Sequence, residues 1–293
     1  MPDLAEFGNS LDGESFSPGS PGYEAIRRPV NLAYQDVCPR LVDRCRSVSD
    51  VVSAVTYATA TGDRIAPRGG GHCFAGRSST DGIVLDMSGL DGISVATDRV
   101  ATIGAGARLG QVYAALHACD RTLPAGCGPT VGITGLTLGG GIGLLGRKHG
   151  LTCDRLLGAQ VVLADGSVVD CDHDREPDLF WGLRGAGGGQ FGVLTSLRFD
   201  TVPEPMTTRI EAHWPDVALD DWSRPGKPGP RTPRTNSPST SPLRPNPAHL
   251  SRPPSSAPLP SRRDRPGSCC SSSPIGRAWP PRSGCGPACP TPT

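Results

Sequence analysis

Apolar residues in the first part of the chain follow two rhythms, one helical and one short and strand-like. Val51, Val52, Val55 and Ala58 recur at steps of three and four behind Ser47 and Asp50, and Gly62 comes after them. That spacing predicts a helix with one buried stripe, capped by a Ser or Asp oxygen and closed by glycine. Leu109, Val112 and Leu116 keep the same period and predict a second helix over 108–118. A shorter helix is expected over 23–31, stopped before Pro29, and another over 176–185. Between them lie brief apolar runs at 64–67, 83–87, 100–103, 160–163, 167–169 and 191–195, each predicted as a strand, with Leu41-Val42 as a strand edge. Ala164-Asp165-Gly166 is a turn that folds 160–169 into a hairpin, and Asp91-Gly92 is a second turn pair. Helices and short strands mixed in this way predict an α+β fold.

Composition changes the picture at the C-terminal side. From Ser223 to Thr293 the chain holds 19 of its 31 prolines, eleven Lys or Arg, and one acid, Asp264. The overall charge of +1 is therefore the sum of −9 over residues 1–222 and +10 over the rest. A Pro-, Ser- and Arg-rich stretch without apolar period buries too little surface to offset its ordering entropy, so 223–293 is expected to be a disordered tail. A shift of reading frame near Trp222 in a GC-rich gene would yield this composition. Its arginines are not interleaved with aromatics, so no nucleic-acid partner is expected. Residues 1–22, with Ser-Pro-Gly-Ser-Pro-Gly at 17–22, are expected to be a flexible lead-in.

Eleven cysteines occur without a C-x-x-C pair, seven of them before the tail. Free thiols in a reducing cytoplasm follow from that count, and the polar N-terminus Met-Pro-Asp-Leu-Ala-Glu predicts no signal peptide. No apolar run is long enough to span a bilayer, so no membrane partner is expected.

Candidate chemistry concentrates in glycine. Arg68-Gly69-Gly70-Gly71-His72-Cys73-Phe74-Ala75-Gly76-Arg77-Ser78-Ser79 follows a predicted strand, and three consecutive glycines allow positive φ and bring main-chain N–H groups close to an anion. Arg68 is expected to add positive charge where a phosphate would sit, and His72 to place a nucleophilic ring beside the ligand. A second glycine-rich segment runs from Leu123 to Gly143, and a third over Gly185 to Gly189 leads into the strand at Val193. So many glycines would destabilise a packed element, each by about 1 kcal/mol relative to Ala in a helix, so something must approach this backbone closely. Gly141-Ile142-Gly143-Leu144-Leu145-Gly146 also matches G-x-G-x-x-G, with Asp165 nineteen residues past Gly146. That leaves a dinucleotide-binding βαβ unit as an alternative, against which stand the glycines of its would-be helix and the lack of a strand before it.

The Arg-Gly-Gly-Gly-His loop with Phe74, Gly76, Ser78 and Ser79, followed by the strand Ile83 to Met87 and the glycine-rich segment, resembles the p-cresol methylhydroxylase and vanillyl-alcohol oxidase superfamily. Within it the likeness is greatest to the berberine-bridge-enzyme-like oxidases, and it covers about residues 23–203. The resemblance implies a two-subdomain FAD-binding fold, here over 34–203, with 204–222 as the start of a truncated substrate domain. It implies FAD as cofactor, joined covalently from His72 to the 8α carbon of the flavin. The cofactor-binding set it implies is Arg68, Gly69, Gly70, Gly71, His72, Cys73, Gly76, Ser78, Cys127, Pro129, Thr130, Val131, Gly135, Gly139, Gly140, Gly141, Gly143 and Val193, the last through main-chain contacts at the adenine end. Some relatives carry a second bond from a cysteine directly before the Pro-Thr-Val run to flavin C6. Gly128 stands there in this chain and Cys127 lies one place earlier, so a single link is expected, with Cys127 lining the pocket. The implied function is oxidation of an alcohol, sugar or similar C–H donor by hydride transfer to flavin N5. The catalytic base of relatives lies in the domain this chain lacks, so none is named. An inactive FAD-binding remnant and a NAD-dependent dehydrogenase are the alternatives, and a small molecule is the expected partner in each active case.

Overall fold

Between residues 3 and 206, the residues described by the computed structural model, the chain builds two unlike sheets and a two-stranded ribbon. The order is α1 (Leu4–Asn9), β1 (Glu14–Phe16), α2 (Tyr23–Arg27), β2 (Leu41–Arg44), α3 (Val48–Thr61), β3 (Ile65–Arg68), β4 (Ile83–Asp86), β5 (Ile93–Val95), β6 (Val100–Gly104), α4 (Leu109–His117), β7 (Arg121–Thr122), α5 (Ile133–Leu138), α6 (Gly146–His149), β8 (Leu156–Val162), β9 (Val168–Asp172), α7 (Pro177–Leu183), β10 (Val193–Asp200) and β11 (Val202–Pro203). β7 and β11 form the ribbon.

The first sheet has the order β1-β2-β4-β3, with β2, β4 and β3 parallel and β1 antiparallel to β2. All four residues of β4 are buried, as a strand covered on both faces requires. Ile83 and Leu85 join the main core with Val51, Ala54 and Val55 of α3, whereas Val84 packs on the other face with Val42 and Tyr23. Tyr23 is nearly fully buried and its hydroxyl donates to the Pro39 carbonyl at 2.5 Å. α3 begins with a reciprocal cap, in which Ser47 Oγ accepts from the Asp50 N–H and Asp50 Oδ2 accepts from the Ser47 N–H, each at 3.1 Å. The helix therefore starts at Val48, three residues before the apolar stripe, and stops at Gly62 with φ 74°.

The second sheet is antiparallel, in the order β5-β6-β10-β8-β9. β10 is its centre, with Val193, Leu194, Leu197 and Phe199 buried. The hairpin predicted at 160–169 is the β8–β9 pair, whose turn closes when the Gly166 N–H donates to the Leu163 carbonyl at 2.9 Å.

Two expectations fail here. The lead-in predicted over 1–22 is folded from residue 3 on: β1 pairs with β2, and Phe7 is buried with its ring stacked on Tyr57 at 4.2 Å between centroids. Leu41-Val42 is consequently not at an edge, because β1 covers that side of β2. The expectations for 204–222, past residue 206, and for 223–293 lie outside the described residues. No helix among the described residues is long and apolar enough to cross a membrane.

Candidate functional site

The glycine loop leaves the sheet at the carboxyl end of β3, where Arg68 stands opposite Asp86 of β4. Ends of parallel strands are where α/β sheets receive ligands, because the loops there are free to shape a crevice. Gly71 has φ 71°, a conformation that strains any residue with a Cβ. Asn31 Nδ2 donates to the Cys73 carbonyl at 3.2 Å and the Tyr34 hydroxyl to the Phe74 carbonyl at 2.8 Å, which pins the carbonyl edge of the loop. Among the described residues no acceptor takes the main-chain N–H groups from Gly70 to Ala75. A run of unpaired N–H groups around a positive-φ glycine is a nest for an anion.

The second segment meets this loop directly. A Cβ placed on Gly70 would fall on the Gly132 amide nitrogen and the Thr130 carbonyl oxygen, and one placed on Gly132 would fall on the Gly70 amide. The close neighbour that the glycines call for is thus, at this point, the other glycine loop. Residues 129–133 are held against the start of α4 by the Gly110 N–H to the Pro129 carbonyl, the Leu109 N–H to the Val131 carbonyl, and the Ile133 N–H to the Ala107 carbonyl, at 2.9 to 3.0 Å. This anchoring brings Thr130 Oγ1 to 2.9 Å from His72 Nε2. His72 is half-buried and Thr130 exposed, so the pair stands at an open surface.

The other predicted residues divide by what surrounds them. A Cβ on Gly135 would meet no protein atom within 4 Å, and Gly139 is also exposed, so this side of α5 has room for a ligand. Gly141 and Gly143 are tight instead, since a Cβ on them would strike the Thr152 side chain and the Ala125 carbonyl; Gly140 is buried beside them. Gly76 lies against the Tyr34 ring, and the Ser78 carbonyl accepts from Arg68 Nε at 2.8 Å. Cys73 is half-buried, and Val193 is buried at the start of β10, away from the His72–Thr130 pair in sequence but in the same sheet as β6.

Arg68 does not stand where it was expected. Its guanidinium is buried and donates to the Ile26 and Arg27 carbonyls at 3.0 and 2.8 Å, to the Ser78 carbonyl, and to Ser79 Oγ at 3.3 Å. Burial pushes its pKa down, with nearby Asp86 opposing that shift. It fastens the glycine loop to the end of α2 and is not free for a phosphate. Cys127 is exposed, next to Gly126, whose carbonyl accepts from the Tyr113 hydroxyl at 2.6 Å. The dinucleotide fingerprint fails on context: Gly141 to Gly146 follows helix α5 instead of a strand, and the helix after it, α6, is four residues long.

Sequence reasoning missed Asn31 and Tyr34, which hold the loop from about forty residues away, and nothing in their local pattern announces it. A separate cavity of about 550 Å³ touches Gly69, Gly70 and Gly71 together with Phe16, Arg44 and Arg108, and its lining includes neither His72 nor Thr130.

Residues 39–172 match the FAD binding domain family. The chain carries an FAD-binding domain. Its fold is of the p-cresol methylhydroxylase type, and its relatives include berberine-bridge-enzyme-like and other FAD-linked oxidases, as the glycine loops suggested. It is 38% identical over 231 residues to glucooligosaccharide oxidase of Sarocladium strictum, covering 73% of this chain and 46% of that protein. Among solved structures it is similar to the BBE-like 1 protein of Physcomitrella patens, with TM-score 0.66 and 36% identity over 69% of this chain and 44% of the other. A structure of glucooligosaccharide oxidase from Acremonium strictum, described as carrying 6-S-cysteinyl, 8α-N1-histidyl FAD, matches with TM-score 0.61 and 36% identity, covering 65% of this chain and 40% of that one. The chain spans about half the length of the curated relatives it matches, 46% of each of the first two.

Proposed function

We propose that this chain is the flavin-binding part of an FAD-dependent oxidoreductase that oxidises an alcohol, a sugar or a similar C–H donor, with its FAD tethered through His72. One observation carries the reading: His72 projects from an amide-lined glycine loop and lies 2.9 Å from Thr130 Oγ1 of the second glycine-rich segment. Two loops 58 residues apart thus converge on a nucleophilic ring at an open surface. The N–H groups from Gly70 to Ala75 suit the pyrophosphate, the open side at Gly135 and Gly139 leaves space for the bulk of the cofactor, and Val193 would serve the adenine end through its main chain. When bound, FAD supplies a hydride acceptor at N5 and passes the electrons to dioxygen or another acceptor. The protein's own share is to bind, to orient and to hold the tether. The name of glucooligosaccharide oxidase supports a sugar among the donor classes. A small-molecule substrate and a cytoplasmic location belong to the same proposal, the latter resting on seven free cysteines among the described residues.

The test is acid precipitation of the purified chain. Yellow flavin remaining in the pellet is expected, and His72→Ala should release it to the supernatant; retention in the variant pellet would move the attachment to another residue. A second reading is FAD binding without turnover. Bleaching of the flavin by oligosaccharides or alcohols under anaerobic conditions separates the two, since only the first predicts it.

A further inference from the structure

We infer that Asn31 and Tyr34 are positioning residues for the cofactor's diphosphate: by holding three carbonyls of the glycine loop from behind, the 31–34 segment decides which amides face the ligand. The inference rests on the FAD reading above and adds which N–H groups donate and what turns them outward. In a trans peptide the C=O of one residue and the N–H of the next point in opposite directions, so a partner that fixes a carbonyl also aims the following amide away from itself. No peptide bond among the described residues is cis.

The 31–34 segment takes three such carbonyls. The Asn31 N–H donates to the Gly71 carbonyl at 3.2 Å, Asn31 Nδ2 to the Cys73 carbonyl at 3.2 Å, and the Tyr34 hydroxyl to the Phe74 carbonyl at 2.8 Å. The amides that follow are those of His72, Phe74 and Ala75, and none of them has an acceptor among the described residues. Phe74 and Ala75 are exposed and His72 is half-buried, so an anion can reach this part of the loop. Several amides turned the same way from one short loop suit the clustered oxygens of a diphosphate.

The brace is itself held in shape. Asn31 caps the single turn Leu32–Tyr34, its Oδ1 accepting from the Ala33 N–H at 3.2 Å, and the Tyr34 N–H donates to the Asn31 carbonyl at 3.2 Å. A Cβ on Gly76 would fall 2.3 Å from the Tyr34 ring, so ring and loop are in direct contact. The Arg68 guanidinium ties the start of the loop to the Ile26 and Arg27 carbonyls just ahead of the brace. An amide already aimed needs no reordering when the anion arrives, and that preorganisation is read as affinity.

The experiment uses the full chain, produced in riboflavin-starved cells and isotope-labelled for amide NMR. Inorganic pyrophosphate, riboflavin and FAD are titrated separately, the flavins by fluorescence quenching and pyrophosphate by calorimetry and amide shifts. In the wild type, pyrophosphate should shift the His72, Phe74 and Ala75 amide signals most. Tyr34→Phe keeps the ring against Gly76 and removes only the hydroxyl. It is expected to weaken pyrophosphate and FAD alike by about fivefold, as the loss of one ordinary hydrogen bond implies, and to leave riboflavin affinity unchanged. The Ala75 response should shrink while that of His72, set by a main-chain bond, stays. Asn31→Ser retains a capping oxygen but is too short to reach Cys73, and should move the same loss to the Phe74 amide. A variant that only loosened the fold would weaken riboflavin as well. Wild-type pyrophosphate affinity in both variants, or a loss shared equally by riboflavin, overturns the bracing role. A wild type that binds FAD while these three amides ignore pyrophosphate overturns the assignment of the donors and leaves the FAD reading standing. A wild type that binds neither FAD nor riboflavin overturns that reading and this role with it.

Discussion

Asp43 is a buried carboxyl with one unpartnered oxygen, and replacing it with Asn tests what that burial costs the fold. The residue is 1% exposed in β2, between β1 and β4. Its Oδ1 accepts from Ser15 Oγ at 2.6 Å, while Oδ2 is buried with no hydrogen-bond partner. Burial pushes the carboxyl up from an ordinary 3.8 to about 6, with the Ser15 hydrogen bond opposing and the charge of nearby Asp50 reinforcing the shift. At about 1.4 kcal/mol per pKa unit, this gap corresponds to roughly 3 kcal/mol of folding free energy.

The sign follows from the direction of the shift. Because the folded-state pKa is raised, folding favours the protonated form; the contribution is full below the ordinary pKa of 3.8, fades as pH rises, and is gone above about 6. Asp172 works the opposite way, held well below the usual carboxylate range by its hydrogen bond to Arg175, so its contribution is lost only in stronger acid. Asn carries no titratable proton, so the difference between Asp43→Asn and wild type isolates the one group. Urea midpoints followed by fluorescence at pH 4.0, 5.0, 6.0 and 7.5 should show the variant gaining on wild type by about 3 kcal/mol across the series, with the gain flat above pH 6. A constant difference at every pH would mean that the carboxylate is solvated or paired, and would refute the argument.

The two kinds of glycine separate by mutation. Gly132→Ala drives a methyl into the Gly70 backbone and should destabilise the fold by about 1–3 kcal/mol, read as a lowered melting temperature. Gly135→Ala meets no protein atom and should stabilise FAD-free protein by up to about 1 kcal/mol through helix propensity, read as a raised melting temperature, while weakening FAD binding; equal affinity would remove the cofactor from that face. Arg68→Met strips hydrogen bonds from the Ile26, Arg27 and Ser78 carbonyls and should destabilise by about 2–3 kcal/mol, with FAD binding falling only in step with unfolding. Loss of FAD at unchanged stability would return Arg68 to the phosphate.

What the sequence disclosed about the fold was local. α3 announced itself because its cap, stripe and terminal glycine lie within one stretch, and the β8–β9 hairpin because Asp165-Gly166 sits between two apolar runs. The N-terminal stretch was misjudged because its order comes from afar: Phe7 stacks on Tyr57, and Ser15 bonds to Asp43, while the intervening Ser, Pro and Gly residues carry only turn signals. Arg68 was misplaced for a related reason. An arginine beside three glycines suits a phosphate by chemistry, but three of its hydrogen-bond acceptors are carbonyls, which leave no mark in a sequence.

The glycine loops were recognisable as a pair before their contact was known, and the contact explains why the pattern is so dense. Gly70 and Gly132 are small because each is the other's neighbour, whereas Gly135 is small with nothing beside it. A backbone that needed glycine only to pack would have no reason to leave Gly135 facing open space, where Ala would favour helix α5 by about 1 kcal/mol. The absence of a side chain there makes sense if the space belongs to a ligand. The first glycine loop carries an N–H run without acceptors among the described residues and a histidine whose Nε2 lies 2.9 Å from Thr130 Oγ1. Packing accounts for the meeting of the loops, and a bound group would account for the room left beside Gly135.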